Sequence, residues 1–334
     1  MKRNTVVRTL IICVLMMGML SSCGTPSDLP EVNDVGYGDE VFVEEVIIEE
    51  EAVALAAAPA AVPDVIVKAM KDVEASGTLV KSNDRAIIDY SNTKDGYIMV
   101  KFTGQTAQKL KAQVKGPLVT YTYNVIPGQW EVLPLSDGNG DYKVSIFENV
   151  SGTKYAGVLA QSMKVEMTDA FAPFIRPNQY VNYTSASAVV AKAEELTRDV
   201  SAPLDKVARV YDFVVKTLTY DTEKAKTVQS GYLPVLDSVL EEKKGICFDY
   251  AAMMTAMLRS QDVPCKLVVG YAGTAYHAWI NVWTEDGGWI DAVIFFNGKS
   301  WQRMDPTFAS SAKQSAAIMK YIGDGSNYTA KYFY

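Results

Sequence analysis

Histidine is almost missing from this sequence, because its 334 residues include only His277. A metal site built from several imidazoles is therefore excluded, and no phosphate-binding glycine loop or dinucleotide fingerprint is present. Cysteine is also scarce, with four residues, so a dense disulfide framework is excluded. We expect no metal ion and no cofactor, and acid–base chemistry near neutral pH would depend on His277.

An excess of positive charge is also missing from the main part of the chain. Residues 1–22 hold three basic residues and no acidic one, whereas residues 23–64 hold eleven acidic residues and no lysine or arginine. Since the whole chain has a net charge of −7, residues 65–334 are close to neutral. A nucleic-acid partner, which needs a basic face, is therefore not expected.

The N-terminus lacks an apolar run long enough for a comfortable membrane span. The run Leu10–Leu20 follows a basic start and precedes two serines, which predicts a signal peptide over residues 1–22. With Cys23 added, the stretch LSSC resembles the bacterial lipoprotein signal, in which the cysteine is lipidated and becomes the N-terminus. An ordinary secretory signal with a nearby cysteine is the alternative. The resemblance implies a protein lipid-anchored to the cell membrane and facing outside the cytoplasm.

Two further regions precede the part of the chain that carries candidate chemistry. Residues 23–65 are acidic and then rich in alanine and proline, which predicts a disordered tether. An interaction tail is the alternative interpretation of this segment. Short β-type runs separated by turn signals then predict a small β-sandwich-like domain over residues 66–170, with no catalytic constellation.

Helices followed by consecutive strands characterise residues 180–334. Apolar periodicity predicts helices within residues 185–221, near residues 235–240 and from residue 247 to 260. This order predicts an α+β domain with an antiparallel sheet. The β-type runs cover residues 266–271, 278–284, 289–295 and 301–305.

A cysteine stands where one of these helices begins, in the stretch GICFDYAAMMTAML. Apolar residues share the helical face of Cys247 at four, seven and eleven positions further on, so an inert core position is one interpretation. A nucleophile is the other. The first turn of a helix presents unpaired N–H groups and the positive end of the helix dipole, which favour a thiolate and can stabilise an oxyanion.

Two further stretches supply partners for that thiol. His277 lies in the predicted strand YHAWINVW, on one face with Trp279, where it is either a structural residue or a proton carrier. Asp305, in WQRMDPTF, is either a turn former or the group that accepts the other imidazole N–H and fixes the tautomer. Asp291 is a rival for that role.

Together these stretches resemble the core of the transglutaminase-like, papain-related superfamily. The shared pattern is Gly-x-Cys opening a helix, Val-Pro before a strand ending in Gly-Tyr, His-Ala-Trp on the next strand, and then Asp-Pro-Thr. The resemblance covers about residues 185–310. It implies a triad of Cys247, His277 and Asp305, with the cysteine-bearing helix packed on an antiparallel sheet. The extra stretch AVIFFNGKS departs from the pattern, although Asp-Pro-Thr still favours Asp305.

The remaining candidates are Tyr220 and Cys265. Tyr220 is the upstream side chain that we expect to complete an oxyanion hole together with the Cys247 N–H. Cys265 follows shortly after the cysteine-bearing helix, and we expect a structural role for it. A disulfide with Cys247 would have poor geometry, because the intervening helix is about 20 Å long.

The expected chemistry is attack of a Cys247 thiolate on an amide or ester carbonyl, which leaves a thioester. Resolution by water would make the protein a peptidase or amidase, which is the favoured interpretation. Resolution by an amine would make it a transglutaminase or cyclase. An idle triad on a surface binding or scaffold protein is the third possibility. Peptides or proteins from cell-wall material or secretion are the expected substrates.

Overall fold

The computed structural model describes residues 73–285, 288–290 and 327–334, together with short strands at 45–47, 294–296 and 301–303. The predicted aspartates Asp291 and Asp305 and the predicted lipidation site Cys23 lie outside the described residues. Within the described part of the chain, no helix is long and apolar enough to cross a membrane.

The N-terminal part is built from two antiparallel sheets. Their strands are β1 Glu45–Ile47, β2 Val80–Ser82, β3 Ala86–Asp89, β4 Tyr97–Phe102, β5 Leu110–Lys115, β6 Thr120–Asn124, β7 Trp130–Pro134, β8 Gly140–Ser151 and β9 Lys154–Val165. One sheet has the strand order β1-β9-β8-β5-β6 and the other has the order β2-β3-β4-β7.

The strand β1 lies within the segment that the sequence predicted to be a disordered tether. It pairs antiparallel with residues 154–156 at the start of β9. The local sequence EVII is rich in β-branched residues, which favour a strand. The rest of the predicted tether, residues 23–44 and 48–65, lies outside the described residues.

Both sheets and the C-terminal part share one hydrophobic core. Alternation along β6 buries Tyr121 and Tyr123, while the intervening positions are half-buried. The rings of these tyrosines lie 5.5 and 6.0 Å from that of Tyr334, measured between centroids. The all-β part thus packs directly against the part that carries the candidate chemistry.

Five α-helices follow the sheets within the described residues. Their bounds are α1 Ala188–Thr197, α2 Pro203–Thr217, α3 Thr222–Thr227, α4 Leu236–Glu242 and α5 Cys247–Arg259. The region predicted to be helical over residues 185–221 thus contains two helices, α1 and α2. The second begins at Pro203, because proline at the first helical position loses no hydrogen bond. Two residue pairs, β10 Thr219–Tyr220 and β11 Lys244–Gly245, run parallel to each other.

The later strands are β12 Cys265–Ala272, β13 Ala275–Thr284, β14 Gly288–Ile290, β15 Ile294–Phe296, β16 Trp301–Arg303 and β17 Tyr328–Phe333. Four of them form an antiparallel sheet in the order β14-β13-β12-β17, which packs against α5, whereas β15 and β16 pair only with each other within the described residues. The α+β class and the packing of the cysteine-bearing helix on an antiparallel sheet are confirmed. The run predicted as a single strand over residues 289–295 is two strands, because β14 pairs with β13 and β15 pairs with β16.

Every residue of α5 is buried, including Arg259 at its C-terminal end. The Arg259 guanidinium donates hydrogen bonds to the backbone oxygens of Cys265 at 2.8 Å, Arg176 at 2.7 Å and Tyr334 at 2.6 Å. Burial lowers the pKa of this guanidinium below its ordinary value. One side chain therefore fastens α5 to β12, to the segment before α1 and to the end of β17.

Candidate active site

Cys247 is the first residue of α5 and is buried, with 4% of its surface exposed. The preceding residue, Ile246, is extended and accepts the backbone N–H of Tyr250 at 3.1 Å. The thiol therefore lies at the end of the helix where N–H groups have no intrahelical partner. This is the position that the sequence predicted for the nucleophile.

The backbone enters the helix through Gly245, where a side chain has no room. A Cβ on Gly245 would lie 2.7 Å from the Cβ of Asp249, closer than such atoms approach in proteins. Gly245 is paired with Tyr220 across β10 and β11, and its carbonyl accepts the N–H of Asp221 at 2.9 Å. Tyr220 thus lies on the strand beside the approach to Cys247. Its role in an oxyanion hole stays a prediction.

A buried carboxylate lies two residues after the thiol. Asp249 has no exposed surface and accepts the Ile246 N–H at 2.8 Å, the Tyr232 hydroxyl at 2.6 Å and the Lys224 ammonium at 2.8 Å. Lys224 also donates to the Tyr232 hydroxyl at 2.5 Å. Burial and the charge of Asp249 raise the pKa of Tyr232, which keeps that hydroxyl protonated.

Sequence reasoning missed this cluster, although part of it carried a signal. An acidic residue at the third helical position commonly accepts the N-cap N–H, and Asp249 has that spacing from Ile246. Lys224 and Tyr232 carried no such signal, because their contacts with Asp249 join residues 25 and 17 positions apart.

His277 lies on β13, opposite Gly270 of β12, and is 2% exposed. Its ring stacks on Trp279 with centroids 6.2 Å apart and an interplanar angle of 22°. The ring of Tyr328 on β17 lies 6.3 Å from His277 and 5.2 Å from Trp279. Aromatic rings from two strands therefore hold the imidazole on the face of β13 that the alternation predicted.

Cys247 and His277 border the same pocket. The structure therefore brings together two residues that are 30 positions apart in the sequence. Apart from the thiol and the imidazole, aliphatic and aromatic residues surround this space. They are Val228, Tyr232, Ile246, Phe248, Val269, Tyr276 and Ala278.

The third member of the predicted triad lies beyond what the structure describes. Asp305 and its rival Asp291 both belong to that undescribed part, so the assignment of Asp305 stays a prediction. In the described ranges, no group of three or more histidine, cysteine, aspartate and glutamate side chains could hold a metal ion.

Cys265 has a different environment from Cys247, and both are free thiols. Cys265 is fully buried at the start of β12, with its sulfur 3.6 Å from the hydroxyl oxygen of Thr255. Burial raises the pKa of the Cys265 thiol to about 12. This thiol therefore stays protonated at physiological pH and has the character of a core residue.

Residues 190–306 match the family model described as Transglutaminase-like superfamily. The matched segment includes both Cys247 and His277. The chain therefore carries a transglutaminase-like domain, as the motifs in these stretches predicted.

Two curated relatives are similar to part of the chain. Uncharacterized protein YebA of Bacillus subtilis (strain 168) is 27% identical over 117 residues, which are 29% of this chain and 16% of that protein. A protein-glutamine gamma-glutamyltransferase of Pseudomonas aeruginosa is 27% identical over 115 residues, which are 30% and 17% of the two chains. The match thus spans about a sixth of the length of these curated relatives.

Two solved structures are also similar to part of this chain. The periplasmic domain of TgpA from Pseudomonas aeruginosa, bound to ethylmercury, matches 64% of this chain and 94% of that chain, with 15% identity and a TM-score of 0.33. Red sea bream transglutaminase matches 67% and 53% of the two chains, with 12% identity and a TM-score of 0.29.

Proposed function

We propose that this protein is a thiol enzyme that cleaves peptide or amide bonds through a thioester on Cys247. The observation that carries the proposal is the shared pocket. A cysteine at the first position of a buried helix and the single histidine of the chain border the same space. A thiol and an imidazole that face the same space are the two groups that thiol-based nucleophilic catalysis uses.

The reaction proceeds in two stages. The Cys247 thiolate attacks the substrate carbonyl, and N–H groups of the first turn of α5 stabilise the oxyanion. The C–N bond then breaks as the His277 imidazolium gives its proton to the leaving amine, which leaves an acyl thioester. In the second stage His277 takes a proton from water, the hydroxyl attacks the thioester carbonyl, and the C–S bond breaks to release the acid.

Three further parts of the proposal come from the sequence. Asp305 orients His277 by accepting its other N–H, and Tyr220 assists the oxyanion hole. Lipidation of Cys23 places the enzyme on the outer side of the cytoplasmic membrane, where peptides from cell-wall material or secreted proteins are its substrates. No cofactor enters this scheme.

The nucleophile and the proton carrier are tested by substitution. We expect Cys247→Ala to lower hydrolysis of an activated amide or thioester by about 1000-fold or more, and His277→Ala by about 100-fold or more. Cys265→Ala is the matched control, because it removes the other thiol and leaves the pocket unchanged. Full activity of Cys247→Ala in a correctly folded protein would contradict the proposal.

Addition of a primary amine distinguishes hydrolysis from acyl transfer. Mass spectrometry of the products at rising concentrations of a lysine analogue gives the ratio of acid to amide. A product that stays mostly acid supports a peptidase or amidase. Predominant amide at low amine concentration would instead favour a transglutaminase or cyclase, and would contradict the hydrolytic reading.

A further inference from the structure

The Asp249 carboxylate is an ionisable group in a buried position two residues after the proposed nucleophile. Burial of a charge in this way is unfavourable unless partners compensate it. Its three partners come from three places in the chain: the N-cap of α5 at Ile246, the loop at Tyr232, and α3 at Lys224. The cluster Lys224–Tyr232–Asp249 therefore joins three segments around the start of α5.

The same loop is also held from the other side. Asn124 on β6 donates to the carbonyl of Gly231 at 2.9 Å, and Lys111 on β5 donates to the side chain of Asn124 at 2.8 Å. Tyr232 is the next residue and borders the pocket with Cys247. The wall of the pocket is thus fixed between the β-sheets and the first turn of the cysteine-bearing helix.

We propose that Lys224, Tyr232 and Asp249 are positioning residues for the Cys247 thiol, an inference that rests on the proposed function. Asp249 fixes the first turn of α5 by holding the Ile246 N–H. Lys224 offsets the negative charge of Asp249, which would otherwise oppose formation of a thiolate two residues away. Tyr232 connects the two charges and places its ring in the wall of the pocket.

The test measures the rate of iodoacetamide alkylation of Cys247 in the full chain against pH, with peptide mapping to identify the labelled residue. We expect Lys224→Met to slow alkylation at neutral pH by about tenfold and to move its half-maximal rate to higher pH. Lys224→Arg should stay near the rate of the unaltered protein. The double variant Lys224→Met/Asp249→Asn should recover to within about threefold of that rate, because it removes both charges.

Two features of the design allow a change in alkylation rate to be assigned to Lys224. The other titratable groups around the thiol, Tyr276 and His277 on β13, are unchanged in every variant. Lys226→Met alters a lysine on the same helix whose side chain is 65% exposed, and we expect it to leave the rate unchanged. Should Lys224→Met fail to fold, Tyr232→Phe keeps the ring and removes the linking hydroxyl, with the same direction of change expected.

The outcomes separate the two proposals. Rapid labelling of the unaltered protein with no effect of Lys224→Met would overturn the positioning role and leave the thiol enzyme standing. A double variant as slow as Lys224→Met, with both slowed in proportion to their loss of thermal stability, would show a merely structural cluster and would also overturn it. Slow labelling of Cys247 in the unaltered protein would overturn both proposals.

Discussion

The two cysteines of the folded part show how position decides the chemistry of a residue. Cys247 lies at a helix N-terminus and borders a pocket, whereas Cys265 begins a strand in the core and touches Thr255. The first position offers unpaired N–H groups and access for a carbonyl compound. The second offers neither, and its thiol is kept protonated by burial.

The burial of Cys265 should make the free energy of unfolding depend on pH in the alkaline range. Because burial raises the pKa of this thiol to about 12, above its ordinary value of 9.0, it ionises first in the unfolded chain. The unfolded state then binds fewer protons than the folded state, so the free energy of unfolding falls as pH rises from about 9 to 12. We expect the unaltered protein to lose up to about 1 kcal/mol more per pH unit than Cys265→Ala, measured by urea denaturation.

Buried tyrosines also titrate at alkaline pH, but they do not affect the difference between the unaltered protein and Cys265→Ala. Burial also raises the pKa of residues such as Tyr183, but that contribution is present in both proteins and cancels in the difference. Equal slopes for Cys265→Ala and the unaltered protein would contradict the prediction.

At the scale of the elements, α5 is notable because all of its residues are buried, including the charged Arg259. A helix buried on all sides has no solvent-facing stripe, so its polar groups need partners inside the protein. The guanidinium supplies hydrogen bonds to three backbone oxygens at the end of α5 opposite to Cys247. The helix that presents the thiol is thus anchored at its far end by one side chain.

Removal of that anchor should cost substantial stability. We expect Arg259→Met to lower the free energy of unfolding by about 3 kcal/mol, because three buried backbone oxygens lose a charged donor. Arg209→Met is the matched control. Arg209 is half-exposed on α2 and pairs with Asp199 at 3.2 Å, so its loss should cost about 0.5 kcal/mol or less. Similar losses for the two variants in chemical denaturation would refute the role of Arg259.

Local patterns predicted some elements well and others poorly. The start of α5 at Cys247 and the strands β12 and β13 follow from periodicity within short stretches, so the sequence predicted them closely. The strand β17 was missed, because its pairing partner β12 lies about sixty residues earlier and no local pattern identifies such a contact. The cluster of Lys224, Tyr232 and Asp249 was missed for the same reason.

Gly270 gives one example of a residue whose importance only the tertiary structure reveals. A Cβ there would lie 2.1 Å from the carbonyl oxygen of Thr329 and 2.9 Å from the indole of Trp279. The sequence motif identified this glycine only as part of the Gly-Tyr at the end of a predicted strand. That β17 and the ring of Trp279 approach it closely could not be predicted, because no local pattern shows which strand lies beside it.

At the scale of the whole molecule, the main open prediction is the membrane anchor. We expect the unaltered protein in a bacterial host to fractionate with membranes and to be released by detergent, because several acyl chains on Cys23 would hold it firmly. Cys23→Ala should appear in the soluble or secreted fraction and fail to incorporate labelled palmitate. Cys13→Ala, altered within the predicted signal peptide, should remain with the membranes. A Cys23→Ala protein that stays membrane-bound would contradict lipid anchoring at this residue.

The place of β17 in the sheet has a consequence for biosynthesis. The strand β13, which bears His277, is made by the time residue 284 is translated, but Tyr328, which packs beside His277 and Trp279, is added more than forty residues later. A nascent chain that has not yet released residues 328–333 from the ribosome cannot complete this sheet. The imidazole of His277 therefore acquires this aromatic neighbour only after residue 328 has been synthesised, and shorter products would lack it.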